Sequence, residues 1–241
     1  MLNEDTPQYP MRINKFLHMK GFCSRRKADE LVERGLVKIN GALAVLGQKV
    51  LETDTIELGE EIFDLPKNYE YHLFYKPRGV VSHSPKPGEK SLEDFFNHRT
   101  DLHAVGRLDK DSEGLMLITN DGRIVEKMLD PKYDHEKEYI VKVDLPLKES
   151  FARKMEKGVK IEGYMTAPCT VRVKSDRTFS IVLTEGKKHQ IRRMCAALGL
   201  QVQDLKRTRI GVLKLGGLYP GQQRPIRMDE KVELLKGIGL M

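Results

Sequence analysis

The sequence predicts an α+β protein in two parts, a small helix–helix–hairpin module followed by a larger domain of interleaved strands and helices. Three observations carry that reading. Apolar residues recur at helical spacing twice between residues 12 and 35, then alternate through 36–45 around an Asn-Gly dipeptide. An acidic stretch, residues 51–68, ends in Leu65-Pro66-Lys67-Asn68 and breaks the pattern. From Tyr71 onward, short apolar runs with strand character alternate with short amphipathic segments. A chain of 241 residues has room for one small domain and one of medium size.

Residues 1–10, with Pro7 and Pro10 and no periodicity, read as a flexible tail. Ile13, Phe16 and Leu17 mark a first helix that Gly21 ends. Ser24 is the expected cap of a second helix, with Ala28, Leu31 and Val32 as its stripe and Gly35 at its end. Leu36–Asn40 reads as a strand, Asn40-Gly41 as a hairpin turn and Ala42–Val45 as the return strand. This places a first domain at 11–57, a linker at 58–68 and a second domain at 69–241. There, His72–Tyr75 is a strand stopped by Lys76-Pro77, with Gly79 in the turn. Leu115–Thr119 is a buried strand, and Gly106 and Gly114 bracket the loop before it, so that backbone can approach closely at both ends. Asn120-Asp121-Gly122 is expected to supply positive φ values to a tight exit turn. Further helices are expected at Arg123–Leu129 and Lys148–Lys157, and strands at Ile140–Val143, Cys169–Val173 and Phe179–Leu183. Ile191, Met194, Cys195 and Leu198 form the stripe of another helix, with Gly199 as its C-cap and Cys195 as an inert buried thiol. Closing strands run from Leu205 to Leu218.

The net charge of +7 is modest, but its distribution is not even. Residues 11–50 carry nine Lys/Arg against three acids, 51–70 one against seven, and 185–214 eight against two. Two basic blocks separated by an acidic one suggest two surfaces that face a polyanion. No apolar run reaches the ~18 residues of a membrane span, and the acidic, polar N-terminus does not read as a signal peptide. Cys23, Cys169 and Cys195 lie far apart without a CxxC pair, which argues against zinc and a disulfide framework and for reduced thiols in a cytoplasm. No cluster of metal ligands and no phosphate-binding glycine loop is legible, so neither metal nor cofactor is expected.

Chemistry concentrates in Gly106–Gly122, GRLDKDSEGLMLITNDG. Standing alone, Asp109 between Arg107 and Lys110 would be a solvated ion pair. The whole string resembles the catalytic motif of RNA pseudouridine synthases, and three further stretches resemble motifs of the same family in the same order. They are YKPRG at 75–79, KEY at 137–139 and HQIR at 189–192. The helix–helix–hairpin at the N-terminus resembles an S4 RNA-binding domain, with Arg25, Arg26 and Lys27 opening its second helix. Together these features resemble the RsuA-type pseudouridine synthases with an N-terminal S4 domain. Asp111-Ser112 after GRLDK, with HEKEY, RRMC and LKRTRI, is closest to the RluF-like branch, which modifies large-subunit ribosomal RNA.

The resemblance implies a catalytic domain built on a mixed, largely antiparallel sheet flanked by helices, and a reaction that detaches uracil, rotates it and rejoins it through carbon. Asp109 would be the catalytic carboxylate, by either a covalent or a glycal route. Tyr139 would face the uridine, although a tyrosine at a strand start is by itself a core residue. Arg192 would pair with Asp109 and hold it ionised. Arg107 would fill the space left by the flipped base. Lys76 and Pro77 would support the site with some RNA contact, while Arg193, Arg207 and Arg209 would join Arg25, Arg26 and Lys27 in holding RNA. His189 reads as polar packing at a helix start in preference to a general base. The expected partner is structured ribosomal RNA, 23S before 16S, with a tRNA uridine as an additional target, either free or in assembly intermediates; the enzyme would be a monomer. The competing readings are a non-catalytic S4-type assembly factor and a hydrolase using Asp109 with a histidine; the second lacks a nucleophile elbow.

Overall fold

The computed structural model describes residues 9–20, 22–23, 25–59, 69–97, 99, 101–129 and 135–241. The expected helix end at Gly21, the cap at Ser24, and most of the expected tail and linker lie outside these residues. The chain divides into two compact units. One contains the described residues up to Tyr69 together with Asn120–Glu126, and the other contains Glu70–Thr119 and Lys127–Met241.

In the first unit, β1 (Met11–Arg12) leads into α1 (Ile13–Met19), which packs on α2 (Arg25–Glu33). Ile13 and Leu17 of α1 and Ala28, Leu31 and Val32 of α2 are buried together, as their i, i+3 and i+4 spacing dictates. The hairpin β2 (Val37–Ile39) to β3 (Ala42–Leu43) turns at Asn40 and Gly41, with φ of 52° and 80°, the pair of left-handed residues that a type I′ turn needs. β4 (Lys49–Val50) pairs with β1. β5 (Ile56–Leu58), inside the acidic stretch, pairs with β2. Its Ile-Glu-Leu alternation is the signal for that strand.

The second unit is organised by a nine-stranded sheet. Its elements are β6 (Tyr71–Lys76), β7 (His103–Val105), β8 (Glu113–Thr119), α3 (Gly122–Leu129), β9 (Lys137–Val143), α4 (Phe151–Glu156), the hairpin β10 (Lys160–Ile161) and β11 (Tyr164–Met165), β12 (Thr170–Ser175), β13 (Thr178–Leu183), α5 (Gln190–Ala197), β14 (Val202–Ile210), β15 (Leu213–Lys214), β16 (Gln223–Pro225) and α6 (Met228–Gly237). The first residues of α3 belong to the first unit. Sheet order is β12-β13-β9-β14-β8-β6-β16, with β15 on β14 and β7 on β8. Every pair is antiparallel except β14 with β8, so the sheet is mixed and largely antiparallel. One core cluster joins β9, β12 and β13 to α4 and α5 through Phe151, Met155, Phe179, Ile191 and Met194. A second lies on β6 and β8 around Phe74, Met116 and Phe96. Cys195 is fully buried in the first, and burial pushes its thiol up to about 12, so it is inert at neutral pH.

The expected exit turn after β8 forms differently. None of Asn120, Asp121 and Gly122 has positive φ. Asp121 instead accepts from the Arg123 backbone N–H at 3.2 Å and pairs with the Arg123 guanidinium, so the dipeptide opens α3 as a side-chain cap. An Asp-Gly pair followed by an amphipathic run signals a helix start as strongly as a hairpin turn.

Candidate active site

Four adjacent strands align one residue each in a single row across the sheet. Lys76 of β6 stands opposite Gly114 of β8, Gly114 opposite Arg207 of β14, and Arg207 opposite Tyr139 of β9. Successive members of the row are 38, 93 and 68 residues apart, on stretches that the sequence could connect only by order. Gly114, with φ of 115°, is the position where glycine is required: a Cβ there would lie 2.3 Å from the Arg207 carbonyl oxygen and 2.6 Å from its nitrogen. Next to the row, between Arg207 and Arg209, β14 carries a register shift, the kind of irregularity that re-aims side chains beside sites.

The loop carrying Asp109 enters from Gly106 (φ 82°) and is fastened at nearly every residue. Leu108 is buried, and the Ser82 hydroxyl both donates to its carbonyl at 2.7 Å and accepts from its N–H at 3.2 Å. Gly79 N–H donates to the Lys110 carbonyl at 2.8 Å, which joins the YKPRG turn to the loop. The loop closes on itself through Ser112 N–H to the Asp109 carbonyl at 3.0 Å. Nothing in the sequence around Ser82 distinguishes it from an ordinary turn serine.

Buried cations tie down the rest. Lys76 is fully buried and donates to the carbonyls of Pro77, Val80 and, at 3.5 Å, Lys110. Burial pushes its ammonium down to about 8, with Asp109, Asp111 and Glu113 opposing the shift. Arg207 is 4% exposed; its Nε donates to the Leu115 carbonyl at 2.7 Å and its Nη1 to the Arg107 carbonyl at 3.5 Å. Its Nη2 is buried with no hydrogen-bond partner. Lys76 and Arg207, expected to touch RNA, are therefore inside the protein. A basic side chain in a polar-looking strand reads as surface, but β14 is the middle of the sheet and these cations donate hydrogen bonds to backbone carbonyls. Arg209 is likewise engaged, with Glu136 at 2.8 Å, Glu138 at 3.2 Å and the Gly211 carbonyl at 3.0 Å, so its charge is compensated within the chain.

Arg192 does not pair with Asp109. Its guanidinium donates to the carbonyls of Val202 and Asp111, each at 3.1 Å, and to Ser112 Oγ at 3.4 Å. Two residues of main chain beyond Asp109 are thus where this arginine meets the loop. The ionic partner of Asp109 is His189, whose Nε2 lies 3.4 Å from Oδ1, with side chains 45% and 38% exposed. Arg107 is exposed. Tyr139 is half-buried and packs against both core clusters, so the packing expected of a lone tyrosine is present, and in the row it stands next to Arg207, one strand beyond Gly114. Arg193 pairs with Glu162 at 3.1 Å. On α2, Arg25 and Arg26 are exposed, Arg25 donates to Asn14 Oδ1 at 3.3 Å, and Lys27 pairs with Glu30 at 2.7 Å. Among the described residues no helix is long and apolar enough to cross a membrane.

Residues 70–197 match the model of the RNA pseudouridylate synthase family, and residues 11–56 match that of the S4 domain. Dual-specificity RNA pseudouridine synthase RluF of Escherichia coli K12 is 40% identical over 233 residues, covering 95% of this chain and 80% of that protein. Ribosomal large subunit pseudouridine synthase B of Bacillus subtilis 168 is 40% identical over 229 residues, covering 91% and 93%. A crystal structure of a pseudouridylate synthase superposes with a TM-score of 0.70 at 29% identity, covering 93% of this chain and 99% of the other.

Proposed function

Because the chain belongs to the RNA pseudouridylate synthase family and carries an S4 domain ahead of its synthase domain, we propose that it isomerises a specific uridine of 23S ribosomal RNA to pseudouridine, with Asp109 as the catalytic carboxylate. The observation that carries this reading is the row Lys76–Gly114–Arg207–Tyr139, which gathers the YKPRG turn, the end of the Asp109 loop and Tyr139 on one sheet. An enzyme that must act on one glycosidic bond gains from holding its carboxylate in place before substrate arrives. The fastening of residues 108, 110 and 112 supplies that order.

The target uridine has to leave its stack, at a cost of a few kcal/mol that is lowest in a loop or bulge. Arg107, exposed next to the loop, is our candidate for the side chain that occupies the vacated space. Tyr139 would present its ring to the flipped uridine. Arg192 serves as a brace of the loop main chain, in place of a direct partner of the carboxylate. Arg25, Arg26 and Lys27 of the S4 domain, with Arg193, would contact RNA phosphates. Large-subunit RNA is preferred because the B. subtilis relative is named for the large subunit. The dual specificity in the E. coli relative's name supports a second RNA target, for which a tRNA uridine is the candidate. The reading places a monomeric enzyme in the cytoplasm, consistent with three unpaired thiols.

The test is tritium release from 5-tritiated-uridine 23S and 16S transcripts by wild type and Asp109→Asn. Release from 23S alone that vanishes in the variant is the expected result. Comparable release by Asp109→Asn would remove Asp109 from the chemistry. Release from 16S alone would move the substrate to the small subunit.

A further inference from the structure

We propose that His189 is a positioning residue for Asp109, its imidazole supplying the side-chain contact that Arg192 does not make. The inference rests on the assignment of Asp109 as the catalytic carboxylate. Among the described residues His189 is the one ion-pair partner of that carboxylate. The cations nearby are engaged elsewhere: Lys76 and Arg207 with carbonyls, Arg192 with the loop main chain, Lys110 with Glu89 at 2.8 Å. A carboxylate more than one-third exposed would otherwise be oriented by water alone.

The backbone shows that this imidazole is placed deliberately. His189 is the N-cap residue of α5 and has φ of 53°, the left-handed region that a side chain other than glycine seldom takes. The neighbouring turn holds it there. Gln190 is buried; its Oε1 accepts from Lys187 N–H at 2.9 Å and its Nε2 donates to Glu185 Oε1 at 2.6 Å. That same carboxylate oxygen accepts from Ala167 N–H at 2.9 Å, so the turn is anchored to the next segment. On the other side, Arg193 N–H donates to the His189 carbonyl at 3.0 Å, and Arg192 fixes the first turn of α5 to Asp111 and Ser112. The ring and the carboxylate are therefore mounted on two pieces of main chain that are themselves tied together.

Lys187 lies over the Tyr164 ring and Arg193 pairs with Glu162, which leaves the carboxylate as the acidic group in contact with the imidazole. Contact with the imidazole fixes the rotamer of the carboxylate before substrate arrives.

The test is single-turnover kinetics on the 23S transcript, with RNA affinity measured in parallel, for wild type, His189→Asn, His189→Gln and Asp109→Asn. Asn is chosen because it tolerates left-handed backbone. The expected result is a fall in the rate at saturating RNA of about ten- to a hundredfold for His189→Asn, the scale of a misplaced catalytic group, with Kd changed by less than about twofold. His189→Gln, whose amide can still reach the carboxylate, should recover part of the rate. An unchanged rate in both histidine variants, with Asp109→Asn inactive, overturns the role of His189 and leaves Asp109 standing. Activity in Asp109→Asn removes the carboxylate itself.

Discussion

Lys76 brings a full charge into a place without solvent, and three carbonyl oxygens receive its three protons. An ammonium so matched is a fastener: its neutral form lacks one donor and all of the charge assistance. Because burial holds the folded value near 8, below the usual lysine range, the charged form is the one that folding disfavours. The contribution of this group to stability is thus poorest below pH 8 and improves as pH rises from about 8 toward the unfolded value near 10.5. Its contribution to activity has the opposite sense, since deprotonation slackens the hold on the Lys110 carbonyl next to Asp109. The expectation is a decline of turnover through an ionisation at about 8 with no matching loss of the urea midpoint. Lys76→Met should lack that decline, turn over more slowly at pH 7, and cost about 1–3 kcal/mol for carbonyls left without donors. A wild-type profile flat from pH 7 to 9 would show that the neutral amine holds the loop equally well. Asp109 was legible as a candidate catalytic carboxylate because its neighbours form a motif. The interior placement of Lys76 was not, since only the carbonyls around an ammonium distinguish a buried lysine from a surface one.

At the scale of elements, β14 decides how much of the site could be read in advance. Its sequence, VQDLKRTRI, is polar at most positions and looks like an edge strand facing phosphates. In the sheet it is central, paired with β9 on one side and β8 on the other, and its basic residues point to carbonyls and carboxylates. The helix start at His189–Gln190 was legible as a helix but not as a strained turn, because the strain is sustained by Glu185 and Ala167, which sequence spacing does not link to it. Gly114, by contrast, was legible as a close approach and meets β14 there. Gly114→Ala should therefore separate β14 from β8 and lower stability by about 3 kcal/mol or more, with activity lost alongside it. Gly237→Ala, at the end of α6 with nothing within 4 Å of the added carbon, is the control and should leave the urea midpoint unchanged or slightly raised. Equal behaviour of the two variants would mean that β14 and β8 adjust around a methyl group without cost.

For the whole molecule, the uneven charge is the feature that sequence and structure share most directly. In the basic block at 185–214, Arg192 and Arg207 donate to backbone carbonyls and Arg193 and Arg209 pair with Glu162, Glu136 and Glu138, while Lys187, Lys188 and Lys214 are exposed. The block at 11–50 retains exposed cations on α2, Arg25 and Arg26 among them. The partition of the chain was also only partly visible, because Asn120–Glu126 joins the first unit across the sequence: a Cβ on Gly122 would lie 1.6 Å from the His18 ring. Removing residues 1–57 would consequently strip cover from a part of the chain far from the cut, and loss of RNA binding in such a truncation would have two explanations. A single exposed cation is the cleaner probe. Binding of a 23S fragment, followed on the Asp109→Asn background across 50 to 400 mM salt, should weaken for Arg26→Ala. The slope of log K against log salt should flatten by about 0.7–0.9, the value of one phosphate contact on single- or double-stranded nucleic acid. A lower affinity with an unchanged slope would assign Arg26 a contact to bases or sugars, and neither change would move the RNA anchor away from α2.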